Sequence, residues 1–157
     1  MSRKPYPLEL AHTLREEEET SRANALANAR HRLELAVHER RTIESALATH
    51  RKETARVGAE EHLRDRQGRS VEEMLRAQSF LARRRRNELE LTRRLERARA
   101  QEREARTLES EALAAFTLAA AEKKAVERHR SSWFAAQEKN REKKEEEENE
   151  EHRRSRK

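Results

Sequence analysis

Gln67-Gly68-Arg69-Ser70-Val71-Glu72-Glu73-Met74-Leu75 is the stretch on which the fold turns. Gly68 can adopt the left-handed conformation that closes a helix. Ser70 stands where the next helix needs an N-cap, and Ser70-Val71-Glu72-Glu73 has the spacing of a capping box: hydroxyl to the Glu73 amide, carboxylate back to the Ser70 amide. Outward from this point the chain lacks helix breakers. Pro5 and Pro7 lie at the N-terminus, Gly58 is the one other glycine, and nothing from Arg69 to Lys157 is Gly or Pro. Pro costs roughly 3 kcal/mol and Gly about 1 kcal/mol inside a helix, so the layout predicts two very long helices joined at Gly68. Gly58 is the competing hinge. Ala59 to Arg66 remains a good helical string, which makes Gly58 a soft point within the first helix instead.

The expected architecture is all-α, a long two-helix antiparallel coiled-coil hairpin. Residues 1–7 form a lead, 8–66 helix one, 67–70 the turn and 71–136 helix two. Residues 137–157 form a charged C-terminal extension without apolar side chains beyond Gln137, expected as a frayed helix or as disorder. Small or apolar residues recur at alternating three- and four-residue steps: Leu26, Ala29, Leu33, Ala36, Ile43, Leu47 and Val57 in the first helix. In the second they are Met74, Ala77, Leu81, Leu91, Leu95, Ala98, Ala105, Ala112, Phe116, Ala119, Val126 and Trp133. This is a heptad pattern; Arg40, His50 and Thr54 fill the same register in the first helix, and Arg84, Glu88, Glu102 and Glu109 interrupt it in the second. A tight turn at Gly68 pairs positions whose numbers sum to roughly 137. Leu47 then faces Leu89 and Leu91, Ile43 faces Leu95, Leu26 faces Ala112, and Glu16 to Glu19 lie near Lys123 and Lys124. Each arm would be about 90 Å long. Acid-first pairs Glu18/Arg22, Glu60/Arg64, Glu72/Arg76, Glu90/Arg94 and Glu102/Arg106 are expected on the outer faces, each contributing about 0.2–0.5 kcal/mol.

Charged residues make up 43% of the 157 residues and hydrophobic ones 33%, too little apolar surface for a compact globular core. Cysteine is absent, which excludes disulfides and thiolate metal sites. Ala112 to Ala121 is the longest apolar run, half of a bilayer span, so no membrane insertion is expected and a cytosolic location is the default. No catalytic constellation stands out, and no catalytic, cofactor-binding or metal-binding residue is expected. The glycines are too far apart for a phosphate loop, the carboxylates are exposed, and the seven histidines include no i,i+4 pair.

What remains are surfaces. Arg83-Arg84-Arg85-Arg86 with Arg93-Arg94 is the densest basic patch. Counterion release could let it grip nucleic acid, but consecutive helical residues point in several directions and aromatics for base stacking are missing, so no nucleic-acid partner is expected. An acidic protein or membrane surface suits the same arginines better. Trp133 and Phe134 lie opposite Tyr6 and Leu8 in the register above, either as a clasp on the open end of the hairpin or as an anchor into a partner. Phe80 falls one position before the seam residue Leu81, either packing on Val57 or contacting a partner.

Three stretches together resemble the FliJ/YscO (SctO) family, the central stalk proteins of flagellar and virulence type III secretion. They are Arg32-Leu33-Glu34-Leu35-Ala36-Val37 through His50-Arg51-Lys52, the turn Gly68 to Leu75, and Ala121-Glu122-Lys123-Lys124-Ala125-Val126 through Trp133 and the Glu/Lys tail. The chain departs from that family in having few aromatics around its turn. The resemblance implies an antiparallel coiled coil similar to the gamma stalk of rotary ATPases. Such a protein would sit in the pore of a hexameric secretion ATPase, promote its assembly or turnover, and touch the cytoplasmic domain of the membrane export gate. Export chaperones are further implied partners, and the location would be the bacterial cytoplasm at the base of the secretion apparatus. Under this reading Tyr6, Lys123, Lys124, Trp133 and Phe134 at the open end meet the ATPase. At the tip, Val57, Leu63, Met74, Leu75 and Phe80 meet the gate, because exposed apolar residues near a turn need a partner to cover them. The alternatives are a generic scaffold coiled coil and a weak nucleic-acid-binding basic coiled coil.

Overall fold

The computed structural model describes residues 5–155. They form two helices, α1 (Glu9–Arg66) and α2 (Val71–Arg154), which run antiparallel and pack on each other, with no strand among the described residues. α1 begins two residues after Pro7, one later than the expected Leu8, and the Glu9 and His12 amides donate to the Tyr6 and Leu8 carbonyls. It ends in a tightened turn, with Gln67 N–H on the Arg64 carbonyl and Gly68 N–H on that of Asp65. Gly68 has φ of 83°, the left-handed region. An added Cβ would meet nothing within 4 Å, so glycine is required there by backbone conformation and not by space.

At the start of α2 the Glu73 amide donates to Ser70 Oγ at 3.3 Å, and the Ser70 amide and hydroxyl both donate to Glu73 Oε2 at 3.0 Å. Those bonds, the backbone one first, hold the Glu73 carboxyl below its ordinary value. α2 then continues through Gln137 to Arg154, so the charged extension is one helix with the seam that precedes it.

Gly58 lies inside α1, also with open space around a would-be Cβ. Two equal-sized substitutions should therefore act in opposite directions. Gly58→Ala is expected to raise stability by about 0.5–1 kcal/mol through helix propensity, and Gly68→Ala to lower it by about 1 kcal/mol through left-handed strain. Thermal unfolding of the two variants measures both signs.

The contacts group the chain into two compact units, Asn28–Ser110 around the turn, and Met1–Ala27 with Glu111–Lys157. In the first, the buried apolar residues are Leu47, Leu95, Ala98 and Ala105; in the second, Tyr6, Leu26 and Ala119. In α2, every residue on the alternating four-and-three steps from Ala77 to Gln137 is buried or half-buried. The heptad is thus unbroken, and its charged members belong to the seam. Leu89 lies outside it and is 52% exposed. This corrects the expected Leu47/Leu89 facing: the steps run from Glu88 to Leu91 and pass Leu89 by. Cross-helix partners have numbers that sum to between 134, for His50 with Arg84, and 143, for Glu44 with Arg99. The expected 137 lies within that spread.

Some outer pairs differ from expectation. Glu72/Arg76 and Glu90/Arg94 form at 2.5 and 2.6 Å. Glu18 instead bonds Arg15, Arg64 bonds Glu61, and Glu60 is nearest Arg56. Glu102/Arg106 forms at 2.6 Å, but Glu102 is a buried seam residue and not an outer one.

Candidate functional site

Within the unit around the turn, the polar positions of the seam meet across the helices. Arg40 Nε donates to Glu102 at 2.7 Å and its Nη1 to Glu44 at 2.6 Å. Glu44 also accepts from Arg99, and Glu102 from Arg106, which extends the pair into a five-residue chain of alternating charge. Bonds from Arg106 and Arg40 hold the Glu102 carboxyl below its ordinary value, and bonds from Arg99 and Arg40 do the same for Glu44. Nearer the turn, His50 Nε2 lies 2.9 Å from the Arg84 carbonyl, which can only accept, so this nitrogen carries the proton. Arg84 reaches back to the Thr54 hydroxyl at 3.0 Å, to the His50 carbonyl at 3.2 Å and to Glu53 at 3.1 Å. Arg51 with Glu88 and Arg30 with Glu109 complete the cross-helix series.

These carboxylates set the acid limit. A carboxyl whose folded value is depressed adds stability above its unfolded value, near 4.5 here, and loses it as pH falls through the lower folded value. The melting temperature should therefore hold from pH 7 down to about 4.5 and fall below it. Glu102→Gln should remove part of that acid sensitivity, as a pH series of thermal melts would record.

At the turn, Arg69 is clamped to α1 by Asp65 at 3.0 Å and by Glu61, with its side chain only 9% exposed. Val57, Glu61, Arg69, Ala77 and Phe80 line one concavity beside Gly68. Val57 is half-buried there, and Phe80 is 40% exposed. Leu63, Met74 and Leu75 are exposed, as is Val71. The tip residues expected to meet a partner thus lie near the turn, and four of the five are exposed, Leu63 and Leu75 by more than half.

In the other unit, Tyr6 closes on α2. It is 4% exposed, its hydroxyl shares a 2.6 Å hydrogen bond with His129 Nδ1, and its ring meets Trp133 edge-on with centroids 5.7 Å apart. Phe134 is 6.3 Å from Tyr6 and 4.9 Å from Trp133. Arg130 donates to Glu9 at 2.9 Å and lies over the Phe134 ring at 5.7 Å, while its Nε is buried without a partner. The clasp geometry is therefore present. Tyr6 is enclosed by the chain's own residues, whereas Trp133 is half-buried and Phe134 is exposed. Lys123 bonds Glu19 at 2.7 Å, which raises its pKa, and Arg15 bonds Glu122 at 2.6 Å. Lys124 is exposed and has no acidic partner among the described residues.

The pairing of Arg40, His50, Arg84, Glu88, Glu102 and Glu109 and the clamping of Arg69 are not among the sequence expectations, which hold Arg40 and His50 in the seam register and the other four as interruptions of it. The signal for the former was present: opposite charges stand at positions whose numbers sum near the register value. Among the described residues no group of three or more His, Cys, Asp or Glu could hold a metal ion, and no helix is long and apolar enough to cross a membrane. No family model, no curated protein and no solved structure matches the chain.

Proposed function

We propose that the chain is a non-enzymatic central stalk of a type III secretion system, one that binds the hexameric secretion ATPase, promotes its assembly or turnover and links it to the export gate. The observation that supports this reading best is the hairpin itself: a two-helix antiparallel coiled coil with charge-paired seam layers and an apolar tip left uncovered. A stiff element that hydrolyses nothing can still shift a ring between states, provided its contacts differ between those states. The mixed charge of the open end, with Lys124, Trp133 and Phe134 accessible, suits the ATPase ring. The tip residues Leu63, Met74, Leu75 and Phe80 suit the cytoplasmic domain of the gate. Export chaperones are a further class of partner in this reading, which places the protein in the bacterial cytoplasm at the base of the apparatus. The second reading is a scaffold coiled coil, favoured by the unbroken heptad seam of α2.

Titration of the chain against its cognate secretion ATPase separates them. The stalk reading expects turnover and ring formation to rise and saturate well below one chain per ATPase subunit, with no hydrolysis by the chain alone. Absence of stimulation at every ratio, or a requirement for one chain per subunit, would favour the scaffold.

A further inference from the structure

The charge of the chain is segregated. Its formal net charge is +6. Counting Lys and Arg against Asp and Glu, the unit Asn28–Ser110 holds 21 basic and 15 acidic residues, and the rest of the chain holds 16 of each. The whole excess therefore lies in the unit around the turn. Within that unit most acids have a basic partner, yet Arg83, Arg86, Arg93 and Arg97 form no ion pair with any described residue. They occupy the outward heptad positions of α2, all four are exposed, and they stand at steps of three, seven and four residues, which places them along one face. Of the three acids between Arg83 and Arg97, Glu88 is half-buried on Arg51 and Glu90 is held by Arg94, while Glu96 flanks the face, exposed and without a basic partner among the described residues.

The complementary surface is in the same chain. Glu145-Glu146-Glu147-Glu148-Asn149-Glu150-Glu151 carries six acids in seven residues and is helical and exposed throughout. Glu145 bonds Arg141 and Glu150 lies near Arg154, while Glu146, Glu147, Glu148 and Glu151 have no basic partner among the described residues.

We infer that the Arg83/Arg86/Arg93/Arg97 face docks the acidic segment Glu145–Glu151 of a second copy, and that the chain self-associates through this contact. The contact is electrostatic and rim-like, with no apolar core. It forms quickly, is weak and depends steeply on salt. A tail on one copy and a stripe on the next make a heterologous interface, which extends into larger oligomers unless it closes on itself.

Sedimentation of the full chain tests it. At low ionic strength the mass should exceed that of the 18.6 kDa monomer, and it should return to the monomer when salt approaches 1 M, where the screening length shrinks to about 3 Å. A variant with Arg83→Glu, Arg86→Glu, Arg93→Glu and Arg97→Glu should be monomeric at low salt. So should one with Glu145→Lys, Glu146→Lys, Glu147→Lys and Glu148→Lys. All eight positions are exposed, so circular dichroism should show both variants as helical as the parent. Each carries a repaired pair for the other, and an equimolar mixture should re-form hetero-oligomers. A parent chain monomeric at every salt concentration, association that survives either variant, or a mixture that stays monomeric would overturn the inference. So would a face that binds duplex DNA in a salt-dependent way while the chain stays monomeric.

Discussion

Leu47→Asp is expected to lower stability by about 3–5 kcal/mol, enough to unfold much of the turn-proximal hairpin at room temperature. Leu47 is 4% exposed and belongs to the same buried apolar set as Leu95 and Ala98. The substitution removes a buried isobutyl group and puts a carboxylate in its place. Aspartate is too short to reach water from there. Leu47→Lys should cost less, because a lysine stem can lie along the seam and carry its ammonium out. Helicity and melting temperature measure both, and equal losses would mean that Leu47 does not sit where its burial places it. The effect should be large because a two-helix seam has no further layer of side chains to close over the loss: no large side chain among the described residues is fully buried.

Trp133→Ala should have the next largest effect, and in a different place. Trp133 is half-buried against Tyr6, so its truncation should cost about 2 kcal/mol, below the range for a fully buried Trp. The loss should appear as faster amide exchange in the first turns of α1, with the turn-proximal unit protected as before. Phe80→Ala, at a 40% exposed position, should leave both stability and that exchange pattern nearly unchanged. In the stalk reading the two variants separate in function as well. Phe80→Ala impairs gate binding and secretion and keeps ATPase stimulation, and Trp133→Ala does the reverse. Damage to one shared activity by both variants would contradict the assignment of two ends.

The hairpin was legible because its determinants are local. A lone positive-φ glycine, a Ser-x-x-Glu box and an absence of breakers each act within a few residues, and they agree. The apolar seam was legible for the same reason, since its period is a property of one helix. What could not be read directly was the pairing within the polar seam. Arg40 with Glu102 and Arg84 with Thr54 depend on a register that wanders across pairs, because long side chains reach up or down a turn before they bond. Leu89 shows the same limit from the other side: pairing by number alone cannot distinguish a seam residue from a neighbour pointing away. The turn concealed Arg69 because a basic residue after glycine has no local signature, and its two acidic partners lie four and eight positions back. Tyr6 was visible only as a candidate opposite Trp133; its near-complete enclosure depends on His129 and Phe134 closing around it.

The stalk function requires one chain folding back on itself. The native sequence lacks cysteine, so a pair introduced as Ile43→Cys and Leu95→Cys reports cleanly when treated with a short bis-maleimide, at high dilution and in high salt. The hairpin should give a crosslinked species that runs as a monomer and loses its thiols at a rate independent of protein concentration. Crosslinks that join two chains, and that disappear on dilution, would mean an extended dimer in place of the hairpin.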